Sequence, residues 1–99
     1  MSNYRATYFN KNKSNYGWYK CQHCGKSFRK SEVDIDHIIP KSKGGSDKEF
    51  NLQILCIHCN RSKKDSTYNI RSDLYKSTKR ILKRKTQKYS LLRFILKNH

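Results

Sequence analysis

Two pairs of cysteines constrain this 99-residue chain more than any other feature. Each pair encloses two residues, and we call the two segments the knuckles: Cys21 to Cys24, and Cys56 to Cys59. Two intervening residues let one tight turn aim both thiolates at a single metal, and two such turns complete a tetrahedron. One pair alone could be a redox motif, but two pairs without a thioredoxin-like pattern favour a four-thiolate zinc site. Four thiolates leave no open position for water, so we expect a structural zinc.

The length of the chain makes a structural metal useful, because 99 residues allow only one small domain. A chain of about this size buries only roughly 60–70% of the surface that it exposes when unfolded. The core is therefore thin, with little room for an internal substrate cavity, and we expect any chemistry at the surface. His23 and His58 lie inside the knuckles. Either could replace a thiolate as a zinc ligand, although exposure or contact with phosphate is the simpler expectation.

The charge of the chain indicates a polyanionic partner. Twenty-three Lys and Arg residues stand against seven Asp and Glu residues, a formal net charge of +16. From residue 60 onward the balance is thirteen basic against two acidic residues, and before it ten against five. So many positive charges repel one another unless a polyanion neutralises them. The phosphate backbone of nucleic acid is the usual polyanion. We therefore expect nucleic-acid contact, with a merely soluble basic surface as the alternative.

The sequence predicts neither a membrane span nor an export signal. The longest apolar stretch is about four residues, against the roughly twenty that a span needs. The first residues lack the apolar region of a secretory signal. We expect an intracellular, reducing compartment (bacterial, phage-encoded in the host cytoplasm, or organellar) and no secretion. Cysteines in such a compartment favour a metal over disulfides.

Composition and periodicity divide the chain into three segments. Residues 1–15 are polar, and we expect a basic arm with little regular structure, which reaches into a nucleic-acid groove or stays disordered. Residues 16–65 carry the cysteines, and alternating polar and apolar residues predict a half-buried strand over 32–39. Ser46 and Glu49 predict a capped helical turn, and a helix follows the second knuckle. In the third segment, residues 66–99, no Pro or Gly interrupts positions 71–97. This pattern predicts one or two basic amphipathic helices.

Asp36 and His37, near the end of the predicted strand, are the most informative pair for chemistry. A one-metal phosphodiesterase requires a carboxylate to hold a divalent cation and an imidazole to remove a proton from the attacking water. Histidine is the natural base near neutral pH, because its unperturbed pKa is about 6.5. An isolated Asp-His pair is more often structural or exposed, so the pair alone does not establish a nuclease.

The residues around this pair resemble the HNH endonuclease family. The resemblance covers about residues 18–64 and agrees in order, spacing and cysteine framework. It implies a small α+β fold, in which a ββα-metal core is stapled by the four-cysteine zinc site and followed by a basic helical C-terminal extension. The matching residues are Asp36-His37-Ile38-Ile39-Pro40, Gly44-Gly45, Asn51-Leu52-Gln53, Leu55, the two knuckles, Asn60 and Lys64.

The resemblance also implies roles for four residues. His37 matches the general base, and Asp36 matches the metal-binding residue before it. Asn51 matches the middle Asn, whose side chain helps to constrain the loop and the base. Asn60 stands where many members have a final His, a variant typified by some phage homing endonucleases. Its carbonyl oxygen would hold the catalytic cation with Asp36, and oxygen ligands favour Mg²⁺ or Mn²⁺.

The implied function is hydrolysis of DNA phosphodiester bonds, by nicking or by double-strand cleavage. DNA is the expected partner, with RNA less favoured, and the protein would act as a monomer or as a homodimer on DNA. Each basic residue after Asn60 could also lie on a merely solvated or packing helix face. The predicted phosphate contacts are Arg61, Lys63, Lys64, Lys79, Arg80, Lys83 and Arg84.

Two other functions explain part of the sequence. A non-catalytic zinc-ribbon module that binds nucleic acid accounts for the charge and the cysteines. A ribosome-associated or RNA-packing zinc protein does the same. Neither has a need for the full set of Asp36, His37, Asn51 and Asn60 at these spacings, so we expect an enzyme.

Overall fold

The computed structural model of the protein describes residues 3–63 and 69–97, with side chains described as far as residue 86. Its strands form two antiparallel pairs, Tyr19–Lys20 with Ser27–Phe28 and Val33–His37 with Leu52–Cys56. This confirms the small α+β fold expected from the sequence. The helices and strands of the described residues are, in chain order, α1 (Tyr4–Lys11), β1 (Tyr19–Lys20), β2 (Ser27–Phe28), β3 (Val33–His37), β4 (Leu52–Cys56), α2 (Ile57–Lys63) and α3 (Ile70–Lys97).

The β3–β4 hairpin and α2 form the centre of the fold. The hairpin register places Asp36 opposite Gln53 and His37 opposite Leu52. Because successive side chains of a strand point to opposite faces, Asp36 and His37 leave β3 on different sides. The strand predicted over residues 32–39 is present but shorter, and the helical turn predicted from Ser46 is a 3₁₀ turn over Glu49–Asn51.

The N-terminal segment differs from the arm with little regular structure that its composition predicts. It forms α1, where Tyr8 and Phe9 are buried. Arg5 donates hydrogen bonds of 3.0 Å to the backbone carbonyls of Val33 and Lys30. Residues of α1 are thus part of the core, although the division of the chain into three segments stays a prediction. The main core consists of Tyr8, Phe9, Val33, Ile35, Leu52 and Ile54.

The C-terminal region is one helix of 28 residues, where the sequence predicts one or two. Its first turns are anchored in the domain, since Asp73 and Ser77 are each 1% exposed. Ser77 Oγ donates to the Phe50 carbonyl at 2.7 Å. Leu82, which the periodicity assigns to an apolar face, is 56% exposed. Within the described part of the chain, no helix combines the length and the apolarity that crossing a bilayer demands.

An ion pair joins α3 to the turn before β4. Arg84 donates to Glu49 Oε2 at 2.8 Å and to Glu49 Oε1 at 2.6 Å. Asn12, which follows α1, donates to the same carboxylate at 2.8 Å. The hydrogen bonds from Arg84 hold the pKa of Glu49 below its usual value of 4.5, although burial acts in the opposite direction. Three segments that are distant in the sequence therefore meet at one buried carboxylate.

We expect Glu49→Gln to lower the free energy of unfolding by about 1–2 kcal/mol at neutral pH. This is the lower part of the range for hydrogen bonds to charged groups, because Arg84 is 38% exposed and partly screened by solvent. Since the folded-state pKa of Glu49 is depressed, its stabilisation is present above the unfolded value and is lost as the pH falls through the folded value. Urea unfolding measures both effects.

The difference in stability between wild type and Glu49→Gln should therefore shrink as the pH falls below 4.5. Both proteins are compared at equal zinc content at each pH, because acid weakens zinc binding to thiolates. Glu32→Gln, which changes an exposed glutamate, is the matched control and should have a smaller effect at neutral pH. A wild-type advantage over Glu49→Gln that stays constant down to acid pH would contradict the assignment.

Candidate functional site

Four cysteine thiols lie together at the end of the β3–β4 hairpin where Cys56 pairs with Val33. A tetrahedral zinc ion with Zn–S bonds of about 2.3 Å separates its sulfurs by about 3.8 Å. The Sγ atoms of Cys24 and Cys56 are 4.0 Å apart, so the cluster fits zinc with small adjustments. This confirms a four-cysteine metal site, whose ligand atoms all lie within 4.8 Å of one another: Cys21, Cys24, Cys56 and Cys59.

The backbone of each knuckle explains why the thiols converge. In the first, the Gly25 N–H donates to the Cys21 carbonyl at 3.0 Å, and Gly25 has a left-handed φ of 75°. Glycine adopts this conformation without the steric cost that a side chain brings. In the second, the Cys59 N–H donates to Cys56 Sγ at 3.4 Å at the start of α2. The knuckles are thus local structures, which is why their spacing is informative in the sequence.

The thiols of Cys21 and Cys59 differ in acidity. Burial raises the pKa of the Cys21 thiol, but hydrogen bonds from backbone N–H groups of the knuckles outweigh it and lower the pKa to about 6. Burial and the neighbouring Cys56 and Cys21 sulfurs raise the pKa of Cys59 to about 12. Each thiolate thus makes the next harder to form. A divalent cation offsets this repulsion, because it binds the deprotonated thiols.

The two histidines of the knuckles lie outside the thiol cluster. His58 is exposed on α2. His23 Nε2 instead contacts the two carboxylate oxygens of Asp73, at 3.0 and 3.1 Å. Within the described residues, the metal-binding group of His, Cys, Asp or Glu side chains consists of cysteines alone.

A second polar site lies at the other end of the hairpin. Asp36, His37 and Asn60 line one surface cavity of about 310 Å³, which we call the cleft. The hairpin supplies the carboxylate and the imidazole, and α2 supplies the carboxamide. Three of the sequence-predicted site residues are therefore brought together, whereas Asn51 does not line the cleft. The other residues that line the cleft are Tyr4, Ile35, Pro40, Lys41, Ser42 and Lys63.

His37 is held from two sides. Its Nε2 lies 2.7 Å from Asp47 Oδ1, and Lys41 contacts the other oxygen of that carboxylate at 3.1 Å. The ring of Tyr4 meets the His37 ring edge-on, with centroids 4.4 Å apart. Sequence reasoning missed Asp47 and Tyr4. Asp47 could have been noticed as an acidic residue shortly after the Gly44-Gly45 turn. This turn folds the loop back towards β3, where His37 lies.

Asn51 fastens the loop between β3 and β4. Its side chain accepts from the Ile39 N–H at 2.8 Å and donates to the carbonyls of Ile39 and Ser46 at 3.1 and 2.8 Å. The side chain is almost fully buried. Gly45 allows this closure, because a Cβ at that position would lie 1.7 Å from the Ile39 carbonyl oxygen. This placement agrees with the loop-constraining role that the resemblance implies, and the role itself stays a prediction.

Asp36 is surrounded by donors. Lys63 Nζ lies 2.8 Å from Asp36 Oδ2, and Gln53 Nε2 donates to the same oxygen at 2.9 Å. Lys63 also donates to the His37 carbonyl at 3.1 Å, and its side chain is only 2% exposed. The predicted contact of Lys63 with phosphate is therefore corrected: its ammonium is used inside the domain. Asn60 Nδ2 donates to Asp34 at 3.1 Å.

The remaining predicted phosphate contacts fall into two groups. Arg80 and Arg84 have partners inside the domain. Arg80 donates to the carbonyls of Glu49 and Leu52, and Arg84 pairs with the Glu49 carboxylate. Lys64 lies outside the described residues. The side chains that are exposed, and for which phosphate contact stays a prediction, are Arg61, Lys79 and Lys83.

The hairpin, the following helix, the thiol cluster and the cleft define a small metal-binding domain of the ββα type. The HNH endonuclease family model matches residues 21–66. This part of the chain is therefore a domain of the HNH endonuclease family, a family of nucleases.

One curated relative supports the family. The CRISPR-associated endonuclease Cas9 of Corynebacterium diphtheriae is 33% identical over 52 residues. The match covers 52% of this chain but only 5% of that protein. No solved structure gives a significant match to the chain.

Proposed function

We propose that this chain is a metal-dependent HNH endonuclease that hydrolyses phosphodiester bonds of DNA. The observation that carries the proposal is the meeting of Asp36, His37 and Asn60 in one cleft of a domain of this family. A carboxylate and a carboxamide oxygen are ligands for a hard divalent cation, and an imidazole is a base for water. The cleft lies at the surface, where a phosphate of a long polymer can reach it.

Asp36 and Asn60 would hold the catalytic cation through their oxygen atoms. Asn60 uses its amide nitrogen on Asp34, so its carbonyl oxygen is the atom that would serve as the ligand. Oxygen donors of this kind suit Mg²⁺ or Mn²⁺. When bound, such a cation neutralises charge on the scissile phosphate and on the departing 3′ oxygen.

His37 would act as the general base through Nδ1. Its Nε2 faces Asp47 Oδ1 at 2.7 Å, and an ionised carboxylate only accepts hydrogen bonds. The proton therefore resides on Nε2, which leaves Nδ1 as the basic nitrogen for the attacking water. The Asp47 carboxylate would also stabilise the imidazolium that forms when His37 takes the proton.

Lys63 would moderate how tightly the cleft holds its cation. Its ammonium lies 2.8 Å from Asp36 Oδ2 and offsets part of the carboxylate charge. A cation on Asp36 is then repelled by a second positive charge nearby. We expect the cleft to bind its cation more weakly than it would without Lys63.

DNA contact is assigned to the exposed basic side chains and to the overall charge. Arg61 lies on α2, whose residues Asn60 and Lys63 line the cleft. Lys79 and Lys83 lie on the exposed side of α3. With a net charge of +16, binding should weaken steeply with salt, because each neutralised phosphate releases counterions. Single-stranded or double-stranded RNA is the second substrate class to test.

A supercoiled plasmid provides the test of the proposal. With Mg²⁺ or Mn²⁺ the wild type should produce open circles, since one cleft cuts one strand at a time. DNA ligase should reseal them, because release of the 3′ oxygen leaves a 5′-phosphate and a 3′-hydroxyl. Asp36→Asn should lose most of this activity, while Glu32→Gln, which removes an exposed acid from the 3₁₀ turn before β3, should keep it.

The outcome also decides between the enzyme and the non-catalytic zinc module. The ion pair between Asp36 and Lys63 is the observation that favours the module, because a carboxylate that is already paired attracts a cation less strongly. Folded, zinc-loaded protein that binds plasmid, linear and single-stranded DNA but cuts none of them with either cation would overturn the nuclease proposal.

A further inference from the structure

A buried carboxylate on α3 reaches the core of the nuclease domain. Asp73 is 1% exposed and lies outside residues 21–66, which match the family. Burying an unpaired charge costs free energy. The partners of the Asp73 carboxylate therefore determine its position. It has two partners among the described residues: Gln53 Nε2 donates to Asp73 Oδ2 at 3.0 Å, and His23 Nε2 lies 3.0 Å from Oδ1.

Gln53 connects this carboxylate to the cleft. The same Nε2 atom donates to Asp36 Oδ2 at 2.9 Å and to Asp73 Oδ2 at 3.0 Å. A carboxamide nitrogen carries two hydrogens, and ionised carboxylates are acceptors only, so each hydrogen serves one carboxylate. The side chain is 1% exposed. A rotated amide would turn its carbonyl oxygen towards two negative charges, and Asp73 therefore helps to select the orientation that serves Asp36.

The orientation of Asp36 depends on this contact. Asp36 Oδ2 is held by two donors that approach from different elements, Gln53 on β4 and Lys63 on α2. Without Gln53, the ammonium of Lys63 alone directs this oxygen, and the orientation of the carboxylate is less tightly fixed. A cation ligand must be fixed before the cation arrives, because the cost of ordering it is otherwise subtracted from the binding free energy.

We propose that Asp73 is a positioning residue for the cation site of the cleft. It fixes the amide of Gln53, and Gln53 fixes Asp36 in the orientation that receives the cation. The proposal rests on the proposed function, since Asp36 must hold a divalent cation. It makes the first turn of α3 part of the active-site architecture. Because His23 belongs to the first knuckle, the same buried chain of contacts runs from the zinc site to the cleft.

Asp73→Asn tests the proposal with almost no change of shape. Asparagine removes the negative charge and replaces one of the two acceptor oxygens with an N–H donor, so the contacts that fix the Gln53 amide weaken. We expect Mn²⁺ to bind about tenfold more weakly, the lower end of the effect of residues that support metal ligands. Electron paramagnetic resonance of free Mn²⁺ measures this binding without DNA or cleavage. The part of the signal that Asp36→Asn removes defines binding at the cleft.

Ser77→Ala is the matched control for a loss of stability. Ser77 lies one turn further along α3, has the same 1% exposure, and donates to the Phe50 carbonyl. Both variants should melt at a lower temperature than the wild type. Only Asp73→Asn should weaken Mn²⁺ binding, when both are measured well below their melting temperatures with the zinc content verified. A merely structural role of Asp73 predicts the same Mn²⁺ affinity for both variants.

A double-mutant cycle tests the route through Gln53. Gln53→Leu removes the amide, and we expect it to weaken Mn²⁺ binding by about 10–100-fold. Once the amide is absent, Asp73→Asn should add no further loss. Full additivity of the two substitutions, unchanged Mn²⁺ affinity of Asp73→Asn, or an equal loss in Ser77→Ala would each overturn the proposal.

Failure of the proposed function gives a different result. Wild-type protein that binds Mn²⁺ at Asp36 but cuts no DNA would overturn the nuclease and leave the positioning role supported or refuted by its own binding data. Wild-type protein without any Asp36-dependent Mn²⁺ binding would overturn the positioning role itself, because there would be no cation to receive.

Discussion

His37→Ala should reduce the rate of cation-dependent plasmid nicking by about 10²–10⁴-fold. This is the range for removal of a general acid or base that transfers a proton in the rate-limiting step. The imidazole lines the cleft and is oriented by Asp47 at 2.7 Å, and no second imidazole lies among the described residues that line the cleft. Nicking under single-turnover conditions measures the chemical step without product release.

Two observations separate proton transfer from a structural effect of His37→Ala. The variant should keep its zinc and its helical circular dichroism, since the His37 side chain is 13% exposed and borders an open cleft. Added imidazole should restore part of the rate. His58→Ala is the matched control, because His58 borders a different cavity beside the thiol cluster, and it should nick at the wild-type rate. Undiminished nicking by folded His37→Ala would refute the assignment of the base.

Loss of one zinc ligand should unfold the domain. Cys56 is 4% exposed and contributes both to the thiol cluster and to the end of β4. Structural zinc supplies about 10–16 kcal/mol of apparent binding free energy in small zinc domains, whereas a whole domain is stable by about 5–15 kcal/mol. Cys56→Ser should therefore lose zinc, cooperative melting and nicking together. Zinc content and circular dichroism of the purified variant measure the first two.

Ile54→Val is the control for the zinc-ligand prediction. Ile54 lies two residues earlier on β4 and is 3% exposed, but it touches the core and not the metal. Its substitution should cost about 0.5–1.5 kcal/mol and leave one zinc per chain. A zinc-free Cys56→Ser protein that melts like the wild type would contradict the structural role of the metal.

The sequence predicts those parts of the fold that depend on short-range spacing. The knuckles are local turns, so their cysteines could be assigned without knowledge of the rest of the chain. Asp36 and His37 are neighbours on one strand, and alternation of polar and apolar residues predicted that strand. Asn51 and Asn60 were assigned by resemblance; Asn60 lines the cleft, whereas Asn51 binds the backbone of the loop after β3.

The helix α1 was missed because its stability comes from tertiary packing. Five of its eight residues are Tyr, Thr, Phe or Asn, which have weak helix propensity, and they form no clear apolar stripe. Tyr8 and Phe9 become buried only when β3 and β4 are present to receive them. A composition-based prediction cannot detect a helix of this kind.

The long-range polar contacts were missed for a related reason. Asp73 lies 50 residues from His23 and 20 from Gln53, and no spacing rule connects them. Lys63 was predicted to contact phosphate because it is one of the basic residues just after Asn60. Its partner Asp36 was known from the sequence, but only the packing of α2 against the hairpin brings the two charges together.

The measurement that tests the account most directly is cation add-back to protein that keeps its zinc. Gel filtration into cation-free buffer removes a weakly held Mg²⁺ but leaves a four-thiolate zinc in place. We predict one zinc per chain, unchanged circular dichroism and no nicking of supercoiled plasmid, followed by nicking when Mg²⁺ is added. Full nicking before any cation is added would contradict a separate catalytic cation at Asp36 and Asn60.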